Sequence, residues 1–191
     1  MDGFHYTRAQ LDAMPDPATA HARRGAEFTF DGEAFYQLVK RLKEPLAPDS
    51  PPVLAPSFDH AVKDPRADDI VVERTQRIVV LEGNCTSLCL QNHFPPCIAN
   101  SRISDILLTQ PPWSLTHPLL SHKIFVSVPP PLARSRLAAR HLAAGLATTL
   151  LEGDRRAVEN DLPNGEVITR LLRVEEVDDV VESLEEGGWA C

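Results

Sequence analysis

Two uninterrupted apolar runs constrain the fold of this chain most: "RIVVLEG" over 77–83 and "HKIFVSV" over 122–128. Each is short, β-branched and bounded by polar or turn-forming residues. That is the pattern of a strand buried on both faces, as in a parallel sheet with helices outside it. "PPVLAPSFD" (51–59) reads as another short apolar strand ending in polar residues. Residues 1–32 are polar and turn-rich. After them, Asp31 can cap a helix with Glu33 in its first turn and Phe35, Leu38, Val39 and Leu42 at helical spacing, ending before Pro45. "PLARSRLAARHLAAGL" (131–146) predicts a second helix, with Pro131 suited to its first turn. A third falls near 152–161, followed by a turn at "LPNG" and an acidic tail, "VEEVDDVVESLEE", able to seat a last helix or strand. Strands alternating with helices predict an α/β sheet. In such sheets ligands collect beyond the carboxyl ends of the strands, which points to Asp59 and His60 after one strand and Glu82 and Gly83 after another.

Composition narrows the function classes. The 191 residues, 43% hydrophobic and 24% charged, suffice for one domain with a sizeable core. A formal net charge of -8 opposes a main role in coating nucleic acid or anionic lipid, both of which need a basic face. Small-molecule or protein partners are expected instead. No apolar run reaches the roughly 20 residues that span a bilayer, and "MDGFHYTRAQ" has no basic region followed by an apolar stretch. The expectation is an intracellular, cytoplasmic protein. Four cysteines, three in one window and one at the C-terminus, do not form a spread disulfide framework and fit a reducing compartment.

That window, "EGNCTSLCLQNHFPPCIANS", places Cys85, Cys89, His93 and Cys97 at even spacing and raises the question of zinc. The ligand types are right, since zinc takes Cys and His at about 2.0 to 2.3 Å. Ligands at i, i+4, i+8 and i+12 on one helix would spread over roughly 18 Å, too far to share an ion. Pro95 and Pro96 would break that helix in any case. A looped knuckle could still converge, but the spacing matches no common one. An insert with incidental cysteines is the alternative.

The segments "MDGFH", "RRGAEFTFD", "PSFDHAVKDP", "IVVLEGN", "PPW", "ARSRLAARHLAAGLA" and "ENDLPNGE" occur in an order that resembles P-loop kinases of the phosphoribulokinase and uridine kinase superfamily. The nearest branch is similar to bacterial fructose-transport-system kinases and fungal ATP-dependent kinases, related to bacterial pantothenate kinase. Each motif alone is unspecific; seven in order are specific, and they cover the chain apart from about 85–105. The resemblance implies a P-loop NTPase-like parallel sheet flanked by helices, with ATP and Mg²⁺ as cofactors and a small-molecule hydroxyl substrate. It makes Asp2 the catalytic base toward that hydroxyl and puts Glu82 near the magnesium, through water if not directly. His5, Asp59 and His60 fall on the acceptor side, although Asp59 could equally serve an Asx-type turn. Arg136 and Arg140, four apart on one helical face, match the lid that offsets charge on the transferring phosphoryl group, whereas Arg134 lies on another side. Asn160 and Asn164 match the loop near adenine. Neither nucleic acid nor membrane is implied as a partner, and a homodimer is compatible with the family.

Two departures accompany the resemblance. The 191 residues contain no G-x-x-x-x-G-K-[ST], the loop that holds the β and γ phosphates. The expectation is one domain over 1–191, truncated so that its first strand, P-loop and first helix are missing, with kinase activity weak or absent in consequence. The family also runs from "LEGN" through a tyrosine to "PPW", where this chain has about twenty extra residues. Asn84-Cys85-Thr86 can be written AAY-TGT-ACN and Ser104-Asp105 TCA-GAY, giving GT and CAG intron borders. Joining across them restores the tyrosine, so 85–104 is expected to be translated intron. The competing reading is a non-catalytic remnant or a zinc-stabilised binding module.

Overall fold

The computed structural model describes residues 1–45, 47, 49–73, 75–83, 86–88, 111–171 and 177–183. They fall into two compact units, Met1–Asn84 with Ile103–Ser121 and Cys85–Arg102 with His122–Cys191. Among the described residues no helix is long and apolar enough to cross a membrane.

The first unit opens with a 3-10 turn, Asp2–Phe4, and two short helices, α1 (Arg8–Asp12) and α2 (Pro17–Ala22). Thr7 and Gln10 cap α1 reciprocally, and the Asp16 carboxylate caps α2 by accepting from Thr19 N at 3.1 Å. Helix α3 (Gly32–Lys43) starts as the sequence predicts, with Asp31 Oδ1 accepting from Ala34 N at 2.8 Å. Its apolar stripe, Phe35, Leu38 and Val39, is buried; the Phe35 ring meets Phe4 edge-on at 5.2 Å and Trp113 at 5.8 Å. Gly32 makes the Trp113 contact possible, because a Cβ there would lie 2.8 Å from the indole. Strands β1 (Val53–Asp59) and β2 (Asp64–Val72) form an antiparallel hairpin with a register shift between Ala55 and Ser57. Pro56, which has no N–H to give the ladder, sits at the shift.

The second unit holds a parallel sheet in the order β3 (Thr86–Leu88), β4 (Ile124–Val128), β5 (Asp179–Glu182). Helix α4 (Pro130–Ala143) packs on α5 (Leu150–Arg156), and Gly153 permits the close approach, since a Cβ there would lie 2.6 Å from the Ala138 carbonyl. A π-helical turn, Ala157–Asp161, carries α5 into α6 (Leu162–Leu171).

Three expectations are corrected. Residues 77–83 form no strand, and Ile78 and Val80 are 83% and 84% exposed; the ladder position beside β4 is taken by Thr86–Leu88. "LPNG" is not a turn but the start of α6, entered without a break from the π-helical turn, Leu162 N donating to Ala157 O. In β4 only Phe125 and Ser127 are buried while Ile124 and Val126 are exposed, so one face of that strand is covered, not two. Thr86–Leu88 belongs to the segment expected to be an insertion; 89–104 lies outside the described residues.

Candidate functional site

In the first unit the backbone carries the candidate groups to one strip. The Met1 ammonium donates to the Glu82 carbonyl at 2.6 Å, which brings the Asp2 turn and the Glu82 segment together. Both side chains are exposed, and the Asp2 carboxylate makes no hydrogen bond or ion pair among the described residues. His5 bridges to Phe30 in antiparallel fashion, flanked by bonds from Tyr6 N to Thr29 O at 2.8 Å and from Asp31 N to Phe4 O at 2.7 Å. Its Nδ1 lies 2.8 Å from the Asp2 carbonyl oxygen. A carbonyl only accepts, so Nδ1 carries the hydrogen. The ring packs 4.0 Å from Phe30 and 5.2 Å from Phe58, and His60 meets the Phe58 ring at 5.2 Å. Burial lowers the His5 pKa, the Arg24 charge adds to that, and the bond to Asp2 and the Asp2 charge oppose it.

Asp59 is engaged by its own turn. Its Oδ1 accepts from Ala61 N at 2.9 Å and Val62 N at 3.1 Å, and these two bonds, Val62 first, hold the carboxyl below the usual carboxylate range. The alternative noted for it from sequence, an Asx-type turn, is what the structure places there.

Arg24 fastens the strip. Its Nη1 donates to Lys63 O at 2.6 Å, and its Nη2 to Tyr6 O and Asp64 Oδ1, both at 2.9 Å. The guanidinium carbon stands 5.6 Å from the Phe58 centroid, and Asp64 Oδ1 also accepts from Arg8 N at 2.8 Å. Beside the strip a pocket of about 410 Å³ is walled by Tyr6, Phe28, Phe30, Asp31, Glu33 and Trp113, among others. Burial and the Asp31 charge push the Tyr6 phenol up, so it stays protonated.

In the second unit α4 presents its arginines in three ways. Arg134 forks onto Asp154 at 2.5 and 2.7 Å; Arg136 donates to Ser183 Oγ at 2.8 Å; Arg140 is exposed, with no side-chain partner among the described residues. Asn160 sits in the π-helical turn, 8% exposed, its Oδ1 buried without a hydrogen bond among the described residues, and Asn164 lies in the first turn of α6. His141, 4% exposed, donates from Nε2 to Asp161 Oδ2 at 2.7 Å and so ties α4 to that turn.

The structure thus gathers Asp2, His5, His60 and the Glu82 segment in one unit and Arg136, Arg140, Asn160 and Asn164 in the other. Cys89, His93 and Cys97 lie outside the described residues, as does Cys85. Among the described residues no cluster of three or more His, Cys, Asp or Glu side chains could hold a metal. Sequence reasoning missed Arg24 and His141. His141 was detectable, three residues beyond Ala138 on the buried face of α4, whereas nothing local distinguishes Arg24 from Arg23.

No protein-family model matches the chain. The chain is 43% identical over 178 residues to the ATP-dependent kinase-like protein notR' of Aspergillus versicolor, covering 93% of this chain and 92% of that protein. It is 40% identical over 164 residues to a Schizosaccharomyces pombe protein named as a uridine kinase, covering 86% of this chain and 60% of that one. The crystal structure of YFH7 from Saccharomyces cerevisiae, described as a P-loop-containing kinase with a circular permutation, superposes with a TM-score of 0.73 at 32% identity, over 96% of this chain and 56% of that one. The chain therefore spans nearly the whole of the first relative but well under two thirds of the other two.

Proposed function

This chain belongs to the ATP-dependent P-loop kinases, and on that premise we propose that it serves transfer of the ATP γ-phosphoryl group to a hydroxyl of a small metabolite. The observation that carries this reading is the likeness to the Aspergillus kinase-like protein along almost the whole of both chains. In this reading Asp2, an exposed carboxylate without a protein partner among the described residues, faces the acceptor hydroxyl beside His5 and His60. Asp59 shapes the loop that presents His60. Arg136 and Arg140 offset charge on the phosphoryl group, and Asn160 and Asn164 approach the adenine. The donor set suits Mg²⁺, which is usually held by one or two carboxylates with water and phosphate; Glu82 offers one exposed carboxylate, acting through water. When bound, the ion would neutralise charge on the ATP phosphates.

Because the 191 residues contain no G-x-x-x-x-G-K-[ST], this reading takes the phosphate cradle from sequence encoded upstream of Met1, in a transcript from which codons 85–104 are removed. The 191 residues alone are expected to transfer little or nothing. The test is ATP binding and phosphoryl transfer to uridine, fructose and other hydroxyl compounds, by this chain and by the upstream-extended, spliced protein. If the extended protein neither binds nor hydrolyses ATP with any acceptor, the reading fails. Genomic and transcript sequence around Met1 and Cys85 checks the two gene-level premises directly. The missing motif also favours a second reading, a non-catalytic binding remnant. A zinc module built on 85–97 would show stoichiometric zinc, lost in Cys85→Ser with Cys89→Ser.

A further inference from the structure

The pocket of about 410 Å³ in the first unit has room for a small metabolite and carries charge of one sign. Among the described residues its lining holds the carboxylates of Glu27, Asp31 and Glu33 and no lysine, arginine or histidine. A cleft charged in one sense concentrates ligands of the other. Helix α3 begins at the pocket, but its cap and first turn already carry Asp31 and Glu33, which repel an anion. The walls are aromatic: Tyr6, Phe28, Phe30 and Trp113 of the "PPW" motif, whose ring faces attract a cation. Several polar groups of this lining have capacity left over. Asp31 Oδ1 accepts from Ala34 N at 2.8 Å and Glu33 Oε1 from Gln37 Nε2 at 2.7 Å, while the second oxygen of each makes no hydrogen bond among the described residues. Trp113 is 1% exposed, and its indole N–H donates to nothing among the described residues. The indole edge beside that N–H lies against Gly32, itself part of the lining, since a Cβ on Gly32 would stand 2.8 Å from Cε2, the atom bonded to Nε1. The Tyr6 phenol is likewise unpartnered among the described residues, and burial with the Asp31 charge keeps its proton in place. The pocket therefore offers charged acceptors and two neutral donors. A ligand that answers both carries a positive nitrogen for the first and an oxygen for the second.

We propose that this pocket binds the ammonium group of a hydroxylated amine, which makes an amino alcohol the class of molecule phosphorylated. The binding site stands on the pocket alone; the acceptor role rests on the kinase reading. In that role a hydroxyl oxygen of the amine forms its bond to the γ phosphorus while the bond from that phosphorus to the β–γ bridging oxygen breaks. The electron pair leaves with ADP, and the hydroxyl proton passes to Asp2. The ammonium stays on the aromatic and acidic walls throughout and takes no part in the transfer.

Choline and its uncharged isostere 3,3-dimethylbutan-1-ol share shape and hydroxyl and differ in charge, so the pair isolates the ammonium. They are titrated into the 191-residue chain carrying Trp189→Phe, where indole emission reports Trp113 alone. Choline should shift that emission saturably and bind about tenfold or more tightly than the isostere. Asp31→Asn keeps a capping side chain on α3 and removes the charge; it should weaken choline about tenfold and leave the isostere unchanged. Equal affinities for the pair, no binding of choline, or tighter binding of the anionic alcohol glycerate each overturn the proposal, as does choline affinity within about twofold of wild type in Asp31→Asn. Should Asp31→Asn fail to fold, the wild-type comparison decides alone. In the upstream-extended, spliced protein with ATP, choline or ethanolamine should be phosphorylated in preference to fructose and to the isostere. Transfer that favours the neutral alcohols overturns the proposal and leaves the kinase reading intact. Choline binding with no ATP binding, hydrolysis or transfer to any acceptor overturns the kinase reading and leaves the ammonium site standing.

Discussion

Arg24 and Arg140 are the same residue type put to opposite uses. Arg24, 16% exposed in its side chain, is held by two backbone carbonyls, a carboxylate and an aromatic face, and joins the His5–Tyr6 segment to the hairpin at Lys63 and Asp64. Arg140 stands on the exposed side of α4 with no partner among the described residues. The first guanidinium is fixed before any ligand arrives, at the expense of being available to one. The second makes no contact among the described residues that a ligand would have to displace. A cation meant to meet a transferring phosphate gains from the second arrangement, and a loop that must hold a histidine ring gains from the first.

The contrast breaks most visibly at Arg24. Arg24→Met keeps the packing on Phe58 but removes every donor, leaving the Tyr6 and Lys63 carbonyls and the Asp64 carboxylate short of partners. The expected loss is about 2 to 4 kcal/mol of stability, read as a lower midpoint in urea unfolding at unchanged slope. A loss below about 0.5 kcal/mol would mean the fork is ornamental. Arg140→Ala should invert the pattern in the upstream-extended, spliced protein of the proposed function. Its urea midpoint should stay put while phosphoryl transfer falls about 100-fold, the scale on which single charge-stabilising groups act. Equal stability losses in both variants would erase the distinction.

Gly153→Ala tests what keeps the arginines of α4 in place. A Cβ there would meet the Ala138 carbonyl at 2.6 Å, a backbone atom that cannot swing aside, so α4 and α5 must separate. The expected penalty is about 1 to 3 kcal/mol, with nucleotide affinity falling alongside it in the upstream-extended, spliced protein. Asp154→Asn, which halves the fork that Arg134 makes between the same helices, should cost far less because the Arg134 guanidinium is exposed and Asp154 only half-buried.

How much of this could be seen in the sequence depends on whether the signal was local. The caps were legible: Asp31 begins α3, and Phe35, Leu38 and Val39 face inward as their spacing requires. Helix α4 and strand β4 were legible for the same reason. The run at 77–83 misled because β-branched residues favour extended backbone but cannot supply a neighbour to pair with, and here Thr86–Leu88 occupies the ladder. "LPNG" misled because Pro and Gly usually punctuate turns, whereas here the helical run passes through them from the π-helical turn. At the candidate site the family's motif order pointed to Asp2, His60, Arg136 and Arg140, and the structure adds a partner for two of them, Phe58 against His60 and Ser183 for Arg136. Arg24 was illegible because its role depends on Lys63 and Asp64, some forty residues away, meeting Tyr6 through the hairpin. Tertiary placement alone turns one of two adjacent arginines into a clamp.

The smallest effect expected is a pH dependence of the first unit's stability. Burial holds the folded-state pKa of His5 below its ordinary 6.5, so both folded and unfolded chains are neutral there at higher pH and the group contributes no slope. As pH falls through 6.5 the unfolded chain binds a proton first, and stability declines until pH passes the lower folded value, below which the loss is complete. Asp59 acts in a separate window. Its folded pKa lies under 3.8, so its contribution is whole above 3.8 and disappears as pH drops through the folded value. Urea midpoints at about pH 7.5 and about pH 5 should therefore fall in wild type, and fall less in His5→Asn, where no imidazole remains to titrate. Arg24→Met adds the decisive arm, since its charge helps to keep the proton off His5. Removing it should raise the folded pKa and shallow the slope between those pH values, although the protein is less stable at both. An unchanged slope in Arg24→Met would mean that the clamp holds the strip in place without tuning the histidine.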